Sequence, residues 1–292
     1  MTGVSVLSED ELITALEKAL PEIAEEHASA ALSWNPGDWV PWDKGRNFAF
    51  LGGEDFKPGD ETLNETAAAG LLALLLLKDN LPSFHRVISM FFPPFSDWRQ
   101  LVGTWTAEDN RHAIVLRDYL VVTRAMDPVD AENRRRIHVV AGWRQTPEEI
   151  SDIGPLDVLA LLAVHENQCV HYIGRLIEHA DDPDLVNILE KIRHDDAAQA
   201  SFFQAFLIAG AVADQEATVL AVDRALASIE HIGDDVADFD AQREFISDFE
   251  DVASDAAIAR TLADELKIES LQSLSDEAQA ARTRILERAA GH

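Results

Sequence analysis

The sequence predicts an all-α protein organised around a four-helix bundle, and three observations carry that expectation. Glycine and proline are sparse, 14 and 11 in 292 residues, while alanine and leucine are abundant, which favours long helices. No Val/Ile/Thr-rich alternating stretch recurs, so nothing reads as a sheet. Four apolar helical stretches, centred near residues 78, 110, 166 and 197, each carry isolated polar residues at mid-length. Helices that are apolar nearly all round belong inside a bundle. A charge within such a stretch needs a partner, because an unpaired buried charge is expensive.

The elements follow in order. Ser8-x-x-Glu11 is a capping box opening a helix to about residue 33, with a break expected at Pro21. Residues 34–61 are rich in Pro, Gly and Asp and read as irregular. Thr62-x-x-Glu65 reads as the cap of a buried helix to about Met90, closed by Phe91-Phe92-Pro93-Pro94. The next helix starts near Ser96 and breaks at Asp127-Pro128, and a basic helix follows to about Trp143. Thr146-Pro147-Glu148-Glu149 is another start signal. Pro155 to Ala180 and Pro183 to Gly210 are two further core helices, separated by Asp181-Asp182. From Ala211 onward the chain reads as helical, acidic and less apolar. No repeat, low-complexity tract or linker is visible. A single domain over residues 1–292 is expected, with a core bundle over about 62–210 and an acidic helical part over about 211–292.

Composition excludes several classes. A formal net charge of −29 opposes non-specific binding to nucleic acid or to an anionic membrane. The single cysteine, Cys169, rules out a disulfide framework and a Cys-based zinc site. Ala67 to Leu77 is strongly apolar but too short to span a bilayer, and Lys78-Asp79 closes it. Residues 1–10 lack a basic n-region and a hydrophobic h-region, so a cytoplasmic protein is expected.

The most informative segment is residues 105–112, Trp-Thr-Ala-Glu-Asp-Asn-Arg-His. Asp109 and His112 are three apart, so a helix places them on one face, where both can bind one metal. Carboxylate-x-x-His on two helices, with single carboxylates on two others, is the inward-facing site of di-iron bundles. Lys78, Asp109, His112, Glu166 and Asp196 sit at matched depths on the four apolar stretches. Lys78 and Asp196 taken alone read equally well as helix ends or water-facing residues; the set together points to one central polar site.

Together with Trp34-Asn35-Pro36-Gly37-Asp38-Trp39-Val40-Pro41, that segment resembles the soluble acyl-[acyl-carrier-protein] desaturases. These are di-iron enzymes that insert a double bond into acyl chains held on acyl carrier protein. Leu81-Pro82-Ser83-Phe84 is similar to the segment after the family's first ligand. Asp43-x-Gly45-x-Asn47-Phe48-Ala49-Phe50-Leu51-Gly52-Gly53 is similar to an actinobacterial branch. The resemblance covers roughly residues 30–210. It implies a ferritin-like four-helix core bundle extended by additional helices, a homodimer, and an electron donor such as ferredoxin.

The resemblance also places the ligands, and several are changed. The first-helix glutamate falls on Lys78. The second-helix Glu-x-x-His falls on Asp109 and His112, the third-helix glutamate on Glu166, and the fourth-helix Glu-x-x-His on Asp196 and Gln199. The aspartate preceding the fourth-helix ligand is Asp195, the electron-relaying tryptophan is Trp34, and a threonine beside the oxygen-binding side falls on Cys169. Three inner carboxylates and a charged Lys78 neutralise one divalent metal. Two metals would leave two uncompensated positive charges, which a low-dielectric core opposes. Aspartate is also one methylene too short to bridge two metals easily, and the Gln199 carbonyl is a weaker ligand than imidazole. The expectation is at most one iron (or manganese) per chain, with ligands among Asp109, His112, Glu166, Asp196 and Gln199. Lys78, Cys169, Trp34 and Asp195 are the expected catalytic residues.

Other candidates have simpler readings beside the functional ones. His85, His138, His165, His171 and His194 could replace the missing histidine, or be ordinary surface or structural residues. Arg117, Arg124, Arg134, Arg135, Arg136 and Arg144 concentrate positive charge in an acidic chain. They read either as a solvated helix face or as a docking patch for acidic acyl carrier protein. Two functions follow: an O2-dependent oxidoreductase acting on a carrier-bound acyl chain through a degenerate metal site, or a catalytically altered or inactive module that binds the acyl chain or its carrier.

Overall fold

The computed structural model describes residues 7–92 and 96–292, and those residues form helices and loops without a strand. Two short helices open the fold, α1 (Glu9–Glu17) and α2 (Leu20–Ala30). The Ser8 capping box forms as expected. The break, however, falls before Leu20, and Pro21 lies in the first turn of α2, where its missing N–H has no helical partner to lose.

The helix expected from residue 62 to 90 is two helices, α3 (Glu65–Asp79) and α4 (Leu81–Phe91). Pro82 has no N–H to give the Lys78 carbonyl, and the helix breaks at Asn80. The cap is Asn64 and not Thr62: Asn64 Oδ1 accepts from Ala67 N at 2.8 Å. Residues 93 and 94 of the expected terminator lie outside the described residues.

The remaining helices are α5 (Trp98–Thr123), α6 (Pro128–Ala141), α7 (Pro147–Ser151), α8 (Pro155–His179), α9 (Pro183–Ala213), α10 (Gln215–Ala227), α11 (Asp240–Arg243), α12 (Val252–Glu265) and α13 (Asp276–Ala289). Asp127 caps α6 and the Thr146 capping box opens α7. Arg124 ends α5 with φ +56°, a left-handed conformation uncommon outside glycine. Its side chain is locked by bonds to the Asn47 and Glu54 carbonyls.

α3 with α4, α5, α8 and α9 form the bundle, and α8 lies along α9 for most of its length. Its interior comprises two apolar clusters. One gathers Leu81 to Phe92, Val102, Trp105, Leu156 to Val164 and Phe202 to Leu207. The other gathers Leu71 to Leu76, Val115 to Leu120, Cys169 to Leu176 and Leu185 to Ile192. On every bundle helix the polar residues fall between the two clusters, so one polar layer crosses the bundle at mid-height. The acidic C-terminal helices contribute Val219, Val222, Leu226, Ile258, Leu262 and Ile285 to the first cluster. Each such buried side chain contributes about 1.5–3 kcal/mol, which ties this segment to the bundle. The stretches 65–91 and 183–213 are long and apolar enough to cross a membrane, but they are the bundle's own core helices.

Candidate metal centre

The polar layer brings together every residue expected at the centre. Lys78 (1 % exposed), Asp109, His112, Glu166, Asp196 and Gln199 are all buried. Lys78 projects from the last turn of α3, Asp109 and His112 from one face of α5, Glu166 from α8, and Asp196 and Gln199 from one face of α9.

The Lys78 ammonium occupies the middle of the layer. Its Nζ donates to Asp109 Oδ1 at 2.8 Å and to Asp196 Oδ1 at 2.9 Å, and lies 3.8 Å from Glu166 Oε2. His112 is bound at both ring nitrogens. Nδ1 lies 3.1 Å from Asp109 Oδ1, and Nε2 lies 3.0 Å from Asp195 Oδ2. Asp195 Oδ2 also accepts from Trp34 Nε1 at 2.9 Å and from Arg111 Nε and Nη2 at 3.0 and 2.7 Å. Trp34 stacks on His112, with planes 9° apart and centroids 6.2 Å apart, and the Arg111 guanidinium covers the indole at 4.8 Å.

These contacts set the charges. Burial opposes every ion here, so partners decide which survive. Burial favours the neutral Lys78 amine, but Asp109 and Asp196 outweigh it and hold the ammonium well above its ordinary range. Burial likewise lowers His112, yet its bonds to Asp109 and Asp195 hold it at about 9. Asp109 is pulled below the usual carboxylate range by Lys78 and His112 against its burial. Burial pushes Glu166 up to about 8. Burial also pushes Asp196 up, against the pull of Lys78 and His112, so the charge of the layer turns on Glu166 and Asp196.

The Lys78 ammonium sits between Asp109 and Asp196, two of the carboxylates expected to hold metal. Asp109, His112 and Asp196 present ligand atoms within 4.8 Å of one another, but those atoms already face Lys78 and each other. Three acceptors of the layer's residues are unspent. Glu166 Oε2, Asp196 Oδ2 and Gln199 Oε1 are buried acceptors with no hydrogen-bond partner. Carboxylate and amide oxygens are ligands that a hard divalent ion takes.

Two contacts to these residues went unnoticed in sequence. Trp105 Nε1 donates to Glu166 Oε1 at 2.9 Å, and Gln199 Nε2 donates to Glu108 Oε2, which also meets His27 Nε2 at 2.9 Å. Trp105, Glu108 and Arg111 all belong to the 105–112 segment, so its regularity was the available signal.

The profile of the fatty acid desaturase family matches residues 8–290. The chain belongs to that family. A Mycobacterium tuberculosis protein classed with the acyl-[acyl-carrier-protein] desaturases, DesA2, is 33 % identical over 242 residues, 83 % of this chain and 85 % of the relative. DesA1 of the same organism is 43 % identical over 129 residues, 44 % of this chain and 38 % of its own length. The X-ray structure of DesA2 superposes with a TM-score of 0.70 at 26 % identity, covering 92 % of this chain and 98 % of that one. The fold is therefore the ferritin-like helical fold of the acyl-[acyl-carrier-protein] desaturases.

The other candidates of this desaturase-family chain separate. Cys169 is fully buried, 3.8 Å from His165 Nε2, and burial pushes its thiol up. Burial, with Lys78 nearby, pushes His165 down to about 3, so it is a neutral ring. His85 binds Thr106, His194 binds the Ala30 carbonyl, and His138 faces Asp235. His165 and Cys169 stand with Glu166, the ligand atoms of the three within 4.8 Å of one another, whereas His85, His138, half-buried His171 and His194 contact none of the layer's carboxylates among the described pairs.

The basic patch is smaller than expected. Arg124 is 2 % exposed and tied to the 47–60 loop, so it cannot meet a partner. Arg134 is paired with Asp130, and Arg135 with Asp79 and Glu132. Arg117 pairs with Asp118. Arg136 and Arg144 are exposed and contact no carboxylate among the described pairs, beside exposed Ile137 (54 %) and Val140 (69 %).

Proposed function

We propose that this protein binds the acyl chain of an acyl carrier protein in a desaturase-type bundle whose di-iron chemistry has been replaced by an internal ion network. The observation that carries this reading is the Lys78 ammonium, bound by Asp109 and Asp196 where metal bridges would be. Trp34, Asp195, Arg111 and His112 form a chain from the surface to the layer, and their part here is to hold the imidazolium in place. A second reading is favoured by the unpartnered oxygens of Glu166, Asp196 and Gln199. It keeps one iron or manganese ion, which when bound supplies one-electron chemistry with oxygen. Both readings place the protein in the cytoplasm as a homodimer.

Elemental analysis of protein purified after iron supplementation tests the metal count. At most one metal per chain is expected, rising towards two in the Lys78→Glu, Gln199→His double variant, which restores both charge and a nitrogen ligand. Two metals in the unmodified chain would sink the reading. The carrier surface we assign to Arg136, Arg144, Ile137 and Val140 on and after α6. Binding to acyl carrier protein should weaken with added salt and in the Arg136→Glu, Arg144→Glu variant. Equal binding by that variant at low salt places the carrier elsewhere.

A further inference from the structure

His165, Glu166 and Cys169 lie within little more than one turn of α8. Residues three and four apart share a helix face, so both His165 and Glu166 stand beside Cys169. The ligand atoms of the three lie within 4.8 Å of one another, and all three residues are buried. His165 Nε2 and Cys169 Sγ are 3.8 Å apart. A tetrahedral ion with a metal–sulfur bond of about 2.3 Å and a metal–nitrogen bond of about 2.0–2.1 Å holds such a pair about 3.6 Å apart. Glu166 completes the set. Its Oε1 accepts from Trp105 Nε1 at 2.9 Å, which orients the carboxyl, and its Oε2 is buried with no hydrogen-bond partner. A buried acceptor left unspent is uncommon in a folded core. Lys78 Nζ lies 3.8 Å from that oxygen, beyond hydrogen-bond reach, and gives its bonds to Asp109 and Asp196. Phe84 packs on the imidazole at 4.4 Å and 33°, which restricts the ring.

We propose that His165, Glu166 and Cys169 bind one divalent ion of the zinc class on α8. The donor chemistry selects it: thiolate and imidazole favour Zn2+ or Co2+ over Mg2+, Ca2+ or Mn2+. Composition excludes a site built from several cysteines. One thiolate with one imidazole and one carboxylate is a different set, of three protein ligands with a fourth position open. The thiol gives its proton to solvent as its sulfur binds the ion. Ion, thiolate and carboxylate then sum to zero charge, so the site adds no net charge beside Lys78. The surroundings suit a cation. Glu230 and Asp235 line both a cleft of about 710 Å³ and an adjoining chamber of about 70 Å³, and His165 lies in the chamber's wall. Glu149, Asp152 and Asp157 add acidic charge to the cleft; of its two arginines, Arg144 and Arg224, the second is paired with Asp157. Acidic walls raise the local concentration of cations. Only Glu166 Oε2 is common to this site and to the all-oxygen set of the second reading above, so one ion excludes the other. The site needs no acyl ligand.

Cobalt(II) is the probe. Thiolate-bound cobalt absorbs in the near ultraviolet through sulfur-to-metal charge transfer, and cobalt on oxygen ligands does not. Surface carboxylates of so acidic a chain also take up cobalt, but the single cysteine makes the band specific to Cys169. Titration of chelator-treated protein should develop the band to saturation at one cobalt per chain, and zinc should bleach it. Cys169→Ser should abolish the band. His165→Leu should keep the band but weaken cobalt affinity by roughly tenfold or more, since loss of a group that only orients a ligand already costs that much. Far-ultraviolet circular dichroism checks that each variant is folded. Unmodified protein that develops no charge-transfer band overturns the proposal without any variant. So does an unchanged cobalt affinity in His165→Leu. Cobalt bound stoichiometrically without the band puts the ion on oxygens, which overturns this site and favours the second reading. Failure to bind acyl carrier protein instead overturns the functional reading and leaves the cobalt result standing.

Discussion

Lys78 shows how one side chain redirects a whole site. Its ammonium neutralises Asp109 and Asp196 without a metal. Lys78→Met should therefore leave two buried carboxylates sharing only His112 and cost about 3–5 kcal/mol, read by urea unfolding at pH 7. A loss below about 1 kcal/mol would mean that the ion network holds little of the fold together. Glu250 offers a test far from this layer. Burial pushes it up to about 7 from an ordinary 4.5, although Gln168 Nε2 and Ile232 N donate to it; His231 and Asp255 act on it more weakly. A carboxyl with a raised folded pKa binds its proton more tightly in the folded chain. Its contribution is therefore present below about pH 4.5 and lost as pH rises through about 7. The loss amounts to about 3 kcal/mol at 1.36 kcal/mol per pKa unit. Glu250→Gln should flatten that part of the stability curve between pH 5 and 8. An unchanged slope would assign the titration to other groups.

At the scale of the element, caps and breaks were legible where the signal was local. Ser8, Asp127 and Thr146 cap as their residue types require. Thr62 was a plausible cap with Glu65 at the right spacing, yet Asn64 holds the position because it also reaches across to α8, donating to the His179 carbonyl and Asp181. Asn64→Ala should thus cost about 1–2 kcal/mol while Thr62→Ala changes stability by less than about 0.5 kcal/mol, measured by thermal unfolding. Equal losses would restore the sequence-based cap. The α3–α4 break was written in Pro82, but an apolar run on both sides of it concealed the interruption. That break leaves Lys78 at a helix end, still inside the bundle.

For the whole molecule, the charge of −29 acts against compactness by self-repulsion. Raising NaCl from about 0.05 M to about 0.5 M should therefore raise the unfolding midpoint, because screening shortens the range of that repulsion. A falling midpoint would show that buried-edge ion pairs outweigh it. The acidic C-terminal segment looked peripheral in composition, yet its Ala, Val, Ile and Leu residues complete a cluster shared with α1, α4, α8 and α9. Truncation after α9 should consequently cost solubility as well as stability, since it uncovers that apolar surface.

The sequence by itself determined the helical class, the four bundle helices, the polar set at matched depths and, through residues 34–41 and 105–112, the family. Periodicity and local motif chemistry are properties of neighbours in the chain, so they can be read without coordinates. Tertiary structure alone decided which charges meet. Arg124 read as part of a solvated face or a docking patch and is buried in a loop clasp, because α5 ends against residues 47–60. The second carboxylate on His112 was not legible: Asp195 meets its far nitrogen from α9, held there by Arg111 and Trp34. Lys78 read as one charge to be counted and proves to be the ion at the middle of the layer. The reach of a side chain across a packed bundle depends on four helices at once, and no spacing along one of them encodes it.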